Sequence, residues 1–146
     1  IASQNGTRTM SAQDFFIGPD RDIRSMTALD DGEILTAVRL PAAWANAEFY
    51  FEKVADRNVW DFALTSVAAV MKVSGGTIED ARIACGAVEC VPRRLEAVEN
   101  AIRGQRRSDE LGARAGELAV EGARTLNYNN FKVPLMANLV ARAVRG

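Results

Sequence analysis

The chain has 146 residues, nearly half of them hydrophobic and a quarter charged, and its formal net charge is −1. This length suits one domain with its own core, or one domain with a short leader, and the near-neutral charge argues against a nucleic-acid or membrane-surface role, since both need a basic field. No histidine is present and only two cysteines are, which excludes a Ser-His-Asp or Cys-His site within the chain and leaves too few thiolates for a zinc site or an iron–sulfur cluster.

The first part of the chain gives weak signals. The Asn5-Gly6 turn signal predicts a short strand over residues 7–10, and residues 20–31 are polar and typical of a loop. Residues 33–40 alternate in hydropathy and predict a strand that Pro41 would end. The chain opens without a cap or turn, and we expect it to continue a longer upstream sequence.

The middle of the chain predicts an antiparallel sheet. Residues 48–54 alternate and are rich in aromatic side chains, with Phe49, Phe51 and Lys53 on one side. Two apolar runs follow, over residues 62–73 and 77–88. Periodicity alone cannot separate buried helices from buried strands here, but the glycine pair between the runs favours a β-hairpin over both a helix and a phosphate-binding loop.

After Pro92 the hydrophobic period becomes helical. We expect Pro92 in the first turn of a helix whose core stripe is Leu95, Val98 and Ile102. Ser108 is placed to cap a second helix, and a third is expected to begin near residues 129–130. The charged side chains of the first helix are expected to face water: Arg93, Arg94, Glu96, Glu99 and Arg103. The third helix is expected to bury one apolar line: Phe131, Leu135, Leu139 and Ala143.

Strands that precede helices in this way predict an α+β fold, with an antiparallel sheet of three to four strands followed by three helices packed on one face.

Cys85 and Cys90 could form a disulfide, but two reduced, partly buried thiols are favoured. The acidic residues 30–33 could bind a hard cation, although a solvated loop is the commoner meaning of such a run. Three arginines lie close together in the sequence: Arg103, Arg106 and Arg107. They suggest either an anion-binding patch or a solvated helix end, and the solvated helix end is favoured.

The segment 53–61 has an unusual density of polar and planar groups. Lys53 lies on the aromatic strand, and Arg57 and Asp61 flank Trp60. Composition alone favours an Arg57–Asp61 ion pair that clamps a turn, with Trp60 as a plug in the core.

At this segment the chain resembles the FAD-binding subunits of molybdenum hydroxylases, the xanthine dehydrogenase, carbon monoxide dehydrogenase and aldehyde oxidoreductase family. Residues 51–57 with 61–63 resemble the stretch "Y-x-K-x-x-x-R…D-x-A", and 76–88 resemble "I-x-x-A-R-I-A-x-G-G-V". The chain departs from the family at Ala87 and Arg93, where relatives have Gly and Trp. Further matches follow in the right order over nearly the whole chain: residues 6–8, 14–18, 31–41, 91–94, 97–104, 129–135 and 141–144.

The resemblance implies a domain plan and a cofactor. Residues 1–44 would be the tail of a preceding FAD-binding domain, and residues 45–146 the flavoprotein C-terminal domain. Leu35 matches a leucine that lies against the isoalloxazine ring, and Lys53 matches a lysine near it. The loop after Lys53 matches one that, in some relatives, controls access of the electron acceptor. The glycine-rich pyrophosphate loops of the family are absent, so we expect the chain to supply one wall of the flavin pocket, not to hold FAD alone, and to be catalytically silent by itself.

The implied function is electron relay from the iron–sulfur subunit, fed by the molybdopterin subunit, through FAD to an acceptor, with no part for nucleic acid or membrane. The expected location is the cytoplasm, or the periplasm if a partner carries an export signal. One alternative is a non-enzymatic docking domain for those two subunits, with Lys53 and Arg57 as interface charges. Another, which assumes no family, is a small ligand-binding α+β domain.

Overall fold

The computed structural model describes all 146 residues, which divide into two units, Ile1–Ala43 and Trp44–Gly146. The division falls close to the domain boundary that the resemblance implies after residue 44.

The first unit contains little regular structure. Strands β1 (Ala2–Ser3) and β2 (Gly6–Thr7) form a small antiparallel hairpin, and helix α1 (Ala12–Phe15) is capped by Ser11. The strand predicted over residues 7–10 therefore lies earlier and is shorter. The Arg8 guanidinium holds the unit together, since it donates to both carboxylate oxygens of Glu33 at 2.7 and 2.6 Å and to the carbonyl of Ala28 at 2.6 Å.

The strand predicted over residues 33–40 is wrong. Only Ile34 pairs, in an isolated bridge with Ala2, and residues 35–40 have no regular structure. Alternating hydropathy makes a strand only where a neighbouring strand takes up the backbone hydrogen bonds and a core covers one face. Neither exists here, and the side chains of Val38 and Leu40 are exposed.

A 3₁₀ turn (Ala42–Trp44) runs across the point in the chain where the first unit ends. The sheet of the second unit is antiparallel in the order β3-β4-β5-β6. Its strands are β3 (Glu48–Val54), β4 (Thr65–Ser74), β5 (Thr77–Gly86) and β6 (Arg93–Arg94). Gly75 and Gly76 join β4 to β5 with φ values of 55° and 83°. Two successive positive φ angles are what a tight hairpin between twisted strands requires, so the predicted hairpin is confirmed.

Helices α2 (Glu96–Ile102), α3 (Asp109–Ala119) and α4 (Lys132–Arg145) follow the sheet. Helices α2 and α4 pack on one sheet face, the inner face, and α3 packs on α4 and α2. The predicted α+β fold is thereby confirmed. Each buried Ile, Leu or Val of this core contributes roughly 1.5–3 kcal/mol. The core joins buried residues of β4 and β5 to residues of all three helices: Val67, Met71, Ile78, Ile83, Val98, Ile102, Ala115, Leu139 and Val140.

Glycines allow α3 to approach α4 closely. A Cβ on Gly112 would lie 2.8 Å from the carbonyl oxygen of Ala141, and one on Gly116 would overlap the carbonyl oxygen of Ala137. Ser108 caps α3 by accepting a hydrogen bond from the Leu111 N–H at 3.1 Å, as predicted.

The helix predicted to start at Pro92 begins instead at Glu96, because residues 93–94 pair with the end of β5 as β6. Glu99 does not face water: its side chain is 2% exposed and accepts hydrogen bonds from the Ile83 N–H and the Arg94 guanidinium. Helix periodicity places Glu99 beside the core stripe, and its charge is stabilised there only because these donors surround it.

The third predicted helix is displaced by two to three residues, since it begins at Lys132 after turn hydrogen bonds from Lys132 and Val133 to the carbonyls of residues 129 and 130. Its buried line contains Leu139 and Ala143 as predicted, but Phe131 is 44% exposed. The helix buries Met136 and Val140 in its place.

Candidate functional site

The sheet face opposite the helices, the outer face, carries the candidate site. Phe49 and Phe51 project from β3 on this side, and each is 71% exposed. Across the strands Phe51 lies beside Ala68, which lies beside Ala84. Because these neighbours have small side chains, the outer face presents a flat apolar platform next to an aromatic edge.

Lys53 lies at one end of this platform, on the same side of β3 as the two phenylalanines. Its neighbours across the sheet are Ser66 and Gly86, and a Cβ on Gly86 would meet the Ser66 Oγ at 2.8 Å. Small residues therefore continue along this row. The Lys53 ammonium donates to the backbone carbonyl of Asp61 at 2.5 Å, which fixes the lysine against the loop between β3 and β4.

The base of that loop is organised by Asp61. Its carboxylate accepts hydrogen bonds from the Arg57 backbone N–H at 3.1 Å and from the Arg57 Nε at 3.3 Å. The hydrogen bond from the Arg57 guanidinium is the main cause that holds the pKa of the Asp61 carboxyl below its ordinary value. The predicted Arg57–Asp61 clamp is thus present.

The tip of the same loop is apolar and fully exposed. Trp60 contacts no core, and Phe62 is 94% exposed. The prediction of Trp60 as a core plug is wrong, because its side chain is fully exposed on the loop between β3 and β4. A rigid base with an exposed indole suits contact with another molecule better than packing within the chain.

Trp44, which ends the 3₁₀ turn before β3, is a site residue that the sequence analysis did not identify. Its ring lies over the Lys72 ammonium at 4.9 Å and the Arg82 guanidinium at 5.1 Å from the ring centroid. These contacts occupy the two cations at the other end of the outer face. Lys53 lies at the opposite end of the face and contacts no aromatic ring; its ammonium donates to the Asp61 carbonyl, and the Asp61 carboxylate is close enough to interact with it electrostatically.

Leu35 lies in the first unit, outside regular structure, and is 44% exposed.

Cys85 is buried, Cys90 is exposed, and both are free thiols, so the disulfide alternative is excluded. Burial raises the pKa of the Cys85 thiol to about 11. No group of three or more potential ligands that could hold a metal is present, and none of the helices has the length and apolar character needed to cross a membrane.

The three arginines considered as an anion patch are engaged within the chain. Arg103 donates to Asp80 at 3.2 Å, Arg106 to the Gly75 carbonyl at 3.1 Å, and Arg107 to Glu48 at 2.7 Å. They tie the segment between α2 and α3 to the sheet. The carboxylate of Glu33, in the acidic run, is likewise taken by Arg8.

Residues 50–145 match the family model described as the CO dehydrogenase flavoprotein C-terminal domain. The chain belongs to this family. The match covers the sheet from β3 onward and the three helices that follow it, and it confirms the resemblance noted in the sequence.

Two curated relatives are subunits of oxidoreductases. The carbon monoxide dehydrogenase medium chain of Hydrogenophaga pseudoflava is 30% identical over 148 residues, which cover 99% of this chain and 50% of that one. The aldehyde oxidoreductase FAD-binding subunit PaoB of Escherichia coli is 36% identical over 99 residues, 68% of this chain and 30% of the relative. The relatives are thus subunits of oxidoreductases, and the chain spans half of their length or less.

The fold is similar to that of solved family members. A structure of the carbon monoxide dehydrogenase from Hydrogenophaga pseudoflava superposes with a TM-score of 0.81 at 30% identity, over 95% of this chain and 48% of that one. The architecture of this chain is therefore similar to that of about half of the solved chain.

Proposed function

We propose that the chain forms one wall of the FAD site in a molybdenum hydroxylase and takes part in electron relay through the flavin. The observation that carries the proposal is the outer face: a flat apolar platform bordered by Phe51, with Lys53 fixed at one end. A planar ring with one anionic edge would fit such a surface. Membership of the flavoprotein C-terminal domain family supports the same assignment.

The residues fit a flavin in chemistry. FAD, when bound, supplies the one- and two-electron chemistry of the relay. The Lys53 ammonium would stabilise negative charge on a reduced ring, and the small side chains of the platform would allow the ring to lie flat. Leu35, partly exposed in the first unit, would exclude water from the ring, which is the role that the resemblance implies for it.

In the complete enzyme this wall would serve a subunit that meets an iron–sulfur subunit and a molybdopterin subunit. The medium-chain name of the Hydrogenophaga relative supports an assembly of several subunits. The chain has no histidine, and no group of three or more of its His, Cys, Asp or Glu side chains could hold a metal ion. We therefore assign it binding and electrostatic tasks and leave substrate oxidation to the partner subunits.

The test is a chimera in which this chain replaces the matching half of the Hydrogenophaga medium chain. We expect the chimera to bind FAD, and Lys53→Met to lower the flavin midpoint potential by about 30 mV, since that corresponds to roughly 1.4 kcal/mol for a two-electron couple. Lys72→Met is the matched control, because Lys72 lies on the same face but under Trp44. It should leave the potential unchanged.

Two outcomes would contradict the proposal. Equal potentials for the Lys53 and Lys72 variants would place Lys53 away from the ring. A loss of partner subunits on purification, with the flavin potential unchanged, would instead favour the docking-domain alternative. Absorption spectra of the chain with added FAD complete the test, because the absence of pyrophosphate loops predicts no flavin binding by the chain alone.

A further inference from the structure

A cleft of about 340 Å³ opens on the helix side of the second unit, away from the outer face. It lies between the end of β5, the loop that follows, and the segment joining α3 to α4. Its volume is within the roughly 300–1,000 Å³ range of small-molecule pockets. Because Cys85 lies on its floor and points to the inner face of the sheet, the cleft is separate from the flavin wall proposed above.

The floor of the cleft is apolar. Val133 and Met136 of α4 line it together with Val120 and the thiol of Cys85. Met136 is 4% exposed and its sulfur accepts a hydrogen bond from the Thr65 hydroxyl at 3.9 Å, which holds the side chain in place. The thiol stays protonated at neutral pH, since burial raises its pKa to about 11. An uncharged hydrocarbon body would therefore find complementary contacts here.

The walls carry uncompensated positive charge. Arg93 is neutralised by its ion pair with Glu89. Arg124 makes no hydrogen bond or ion pair, and Lys132 donates only to the backbone carbonyl of Ala87, at 2.8 Å. Glu121 is the remaining carboxylate of the lining. Two cations thus face one carboxylate around an apolar floor.

The backbone at the rim is strained. Ala87 has a φ of 63°, the left-handed region that a residue with a Cβ rarely adopts, and its carbonyl receives the Lys132 ammonium. Strain of this kind persists only where its surroundings enforce it, and it is frequent at ligand sites. The Ala87–Lys132 contact fixes the ammonium at the rim and leaves two of its three N–H donors free.

We infer that this cleft binds a small carboxylic acid with an apolar body. The carboxylate meets Lys132 and Arg124, and the hydrocarbon lies over Val133 and Met136. The site is independent of the flavin, so its test does not depend on whether the proposed flavin wall is correct.

The test is a nitrogen-15 NMR titration of the full chain with three probes that share one ring: benzoate, benzyl alcohol and benzylamine. We expect benzoate to shift the amides around Cys85, Val120 and Val133 and to bind at least about tenfold more tightly than the other two probes, a difference of about 1.4 kcal/mol. Lys132→Met should weaken benzoate at least about fivefold, as expected for loss of a charge-assisted hydrogen bond. The control is Arg114→Gln, an exposed cation of α3 outside the cleft, which should not change the affinity.

A space-filling variant, Val133→Trp, should abolish the benzoate shifts, with its fold checked by the same spectrum. If that variant unfolds, Lys132→Met alone decides the matter, since it alters an exposed charge and leaves the core intact. Three results would overturn the inference: benzylamine binding as tightly as benzoate, shifts confined to the outer face, or no saturable binding below about 10 mM, where a dissociation constant corresponds to less than about 3 kcal/mol.

Discussion

Replacement of Glu99 by Gln tests the buried charge at the centre of the second unit. One carboxylate oxygen accepts hydrogen bonds from the Ile83 N–H and the Arg94 Nε, both at 2.9 Å, and the other accepts from the Arg94 Nη2 at 2.7 Å. The contacts join β5, β6 and α2. In Glu99→Gln the shape is nearly kept, but an NH₂ group replaces one acceptor and meets the guanidinium donor to donor.

The expected cost follows from burial. Removal of one partner from a fully buried ion pair costs about 3–5 kcal/mol, because the remaining charge is left uncompensated. Arg94 is 28% exposed and keeps its ion pair with Glu96, so water and that carboxylate relieve part of the penalty, whereas Glu99 is 2% exposed. We expect Glu99→Gln to lower the free energy of unfolding by about 2–3 kcal/mol, a large share of the roughly 5–15 kcal/mol typical of a domain.

Glu96→Gln is the matched control. Glu96 lies on the same helix and pairs with the same Arg94 at 3.4 Å, but its side chain is 62% exposed. An exposed pair contributes at most about 1 kcal/mol, so the control should change stability by about 0.5 kcal/mol or less. Urea unfolding followed by circular dichroism gives both values. Equal costs for the two variants, with unchanged dependence on urea, would refute the claim that the Glu99 charge is structural.

Three further outcomes are expected. Ala87→Gly should raise the free energy of unfolding by about 0.5–1 kcal/mol, because relief of the left-handed strain exceeds the extra entropy of the unfolded glycine; a loss of stability in thermal unfolding would contradict it. Gly116→Ala should cost about 1–3 kcal/mol in spite of its better helix propensity, because the new methyl overlaps a carbonyl of α4; Ala113→Gly, on the exposed side of α3, should cost only about 1 kcal/mol. The hydrogen bond from Arg8 lowers the pKa of Glu33 from 4.5 to about 2. This ion pair therefore stabilises the first unit fully above pH 4.5, and the stabilisation is lost as the pH falls through about 2. An NMR titration should show a higher Glu33 pKa in Arg8→Gln, and an unchanged pKa would exclude the ion pair as the cause of the shift.

The elements that the sequence predicts well are those whose signals are local. The alternation of residues 48–54 and the glycine pair at 75–76 specify strands and a hairpin, because side-chain direction and positive φ are properties of a few neighbouring residues. The Ser108 cap is equally local. The same alternation placed Phe51 and Lys53 on one side of β3. These two side chains belong to the candidate site, together with the small residues of β4 and β5.

The errors concern residues whose environment is supplied by distant parts of the chain. Residues 35–40 alternate like a strand but have no neighbouring strand to pair with. Trp60 is of a residue type common in cores, but it lies fully exposed on the loop between β3 and β4. Neither fact is encoded near the residue itself.

By itself, the sequence determined the α+β class, the order of strands and helices, and the family, because hydrophobic period, turn residues and motif order are all written along the chain. Only the tertiary structure decided that Arg93 and Arg94 extend the sheet and that Glu99 is buried. The cation–π contacts of Trp44 with Lys72 and Arg82 likewise depend on the fold. These outcomes depend on which donors, acceptors and rings the fold brings together. A polar group is stable in the interior only when such partners are present, and a one-dimensional pattern does not contain that information.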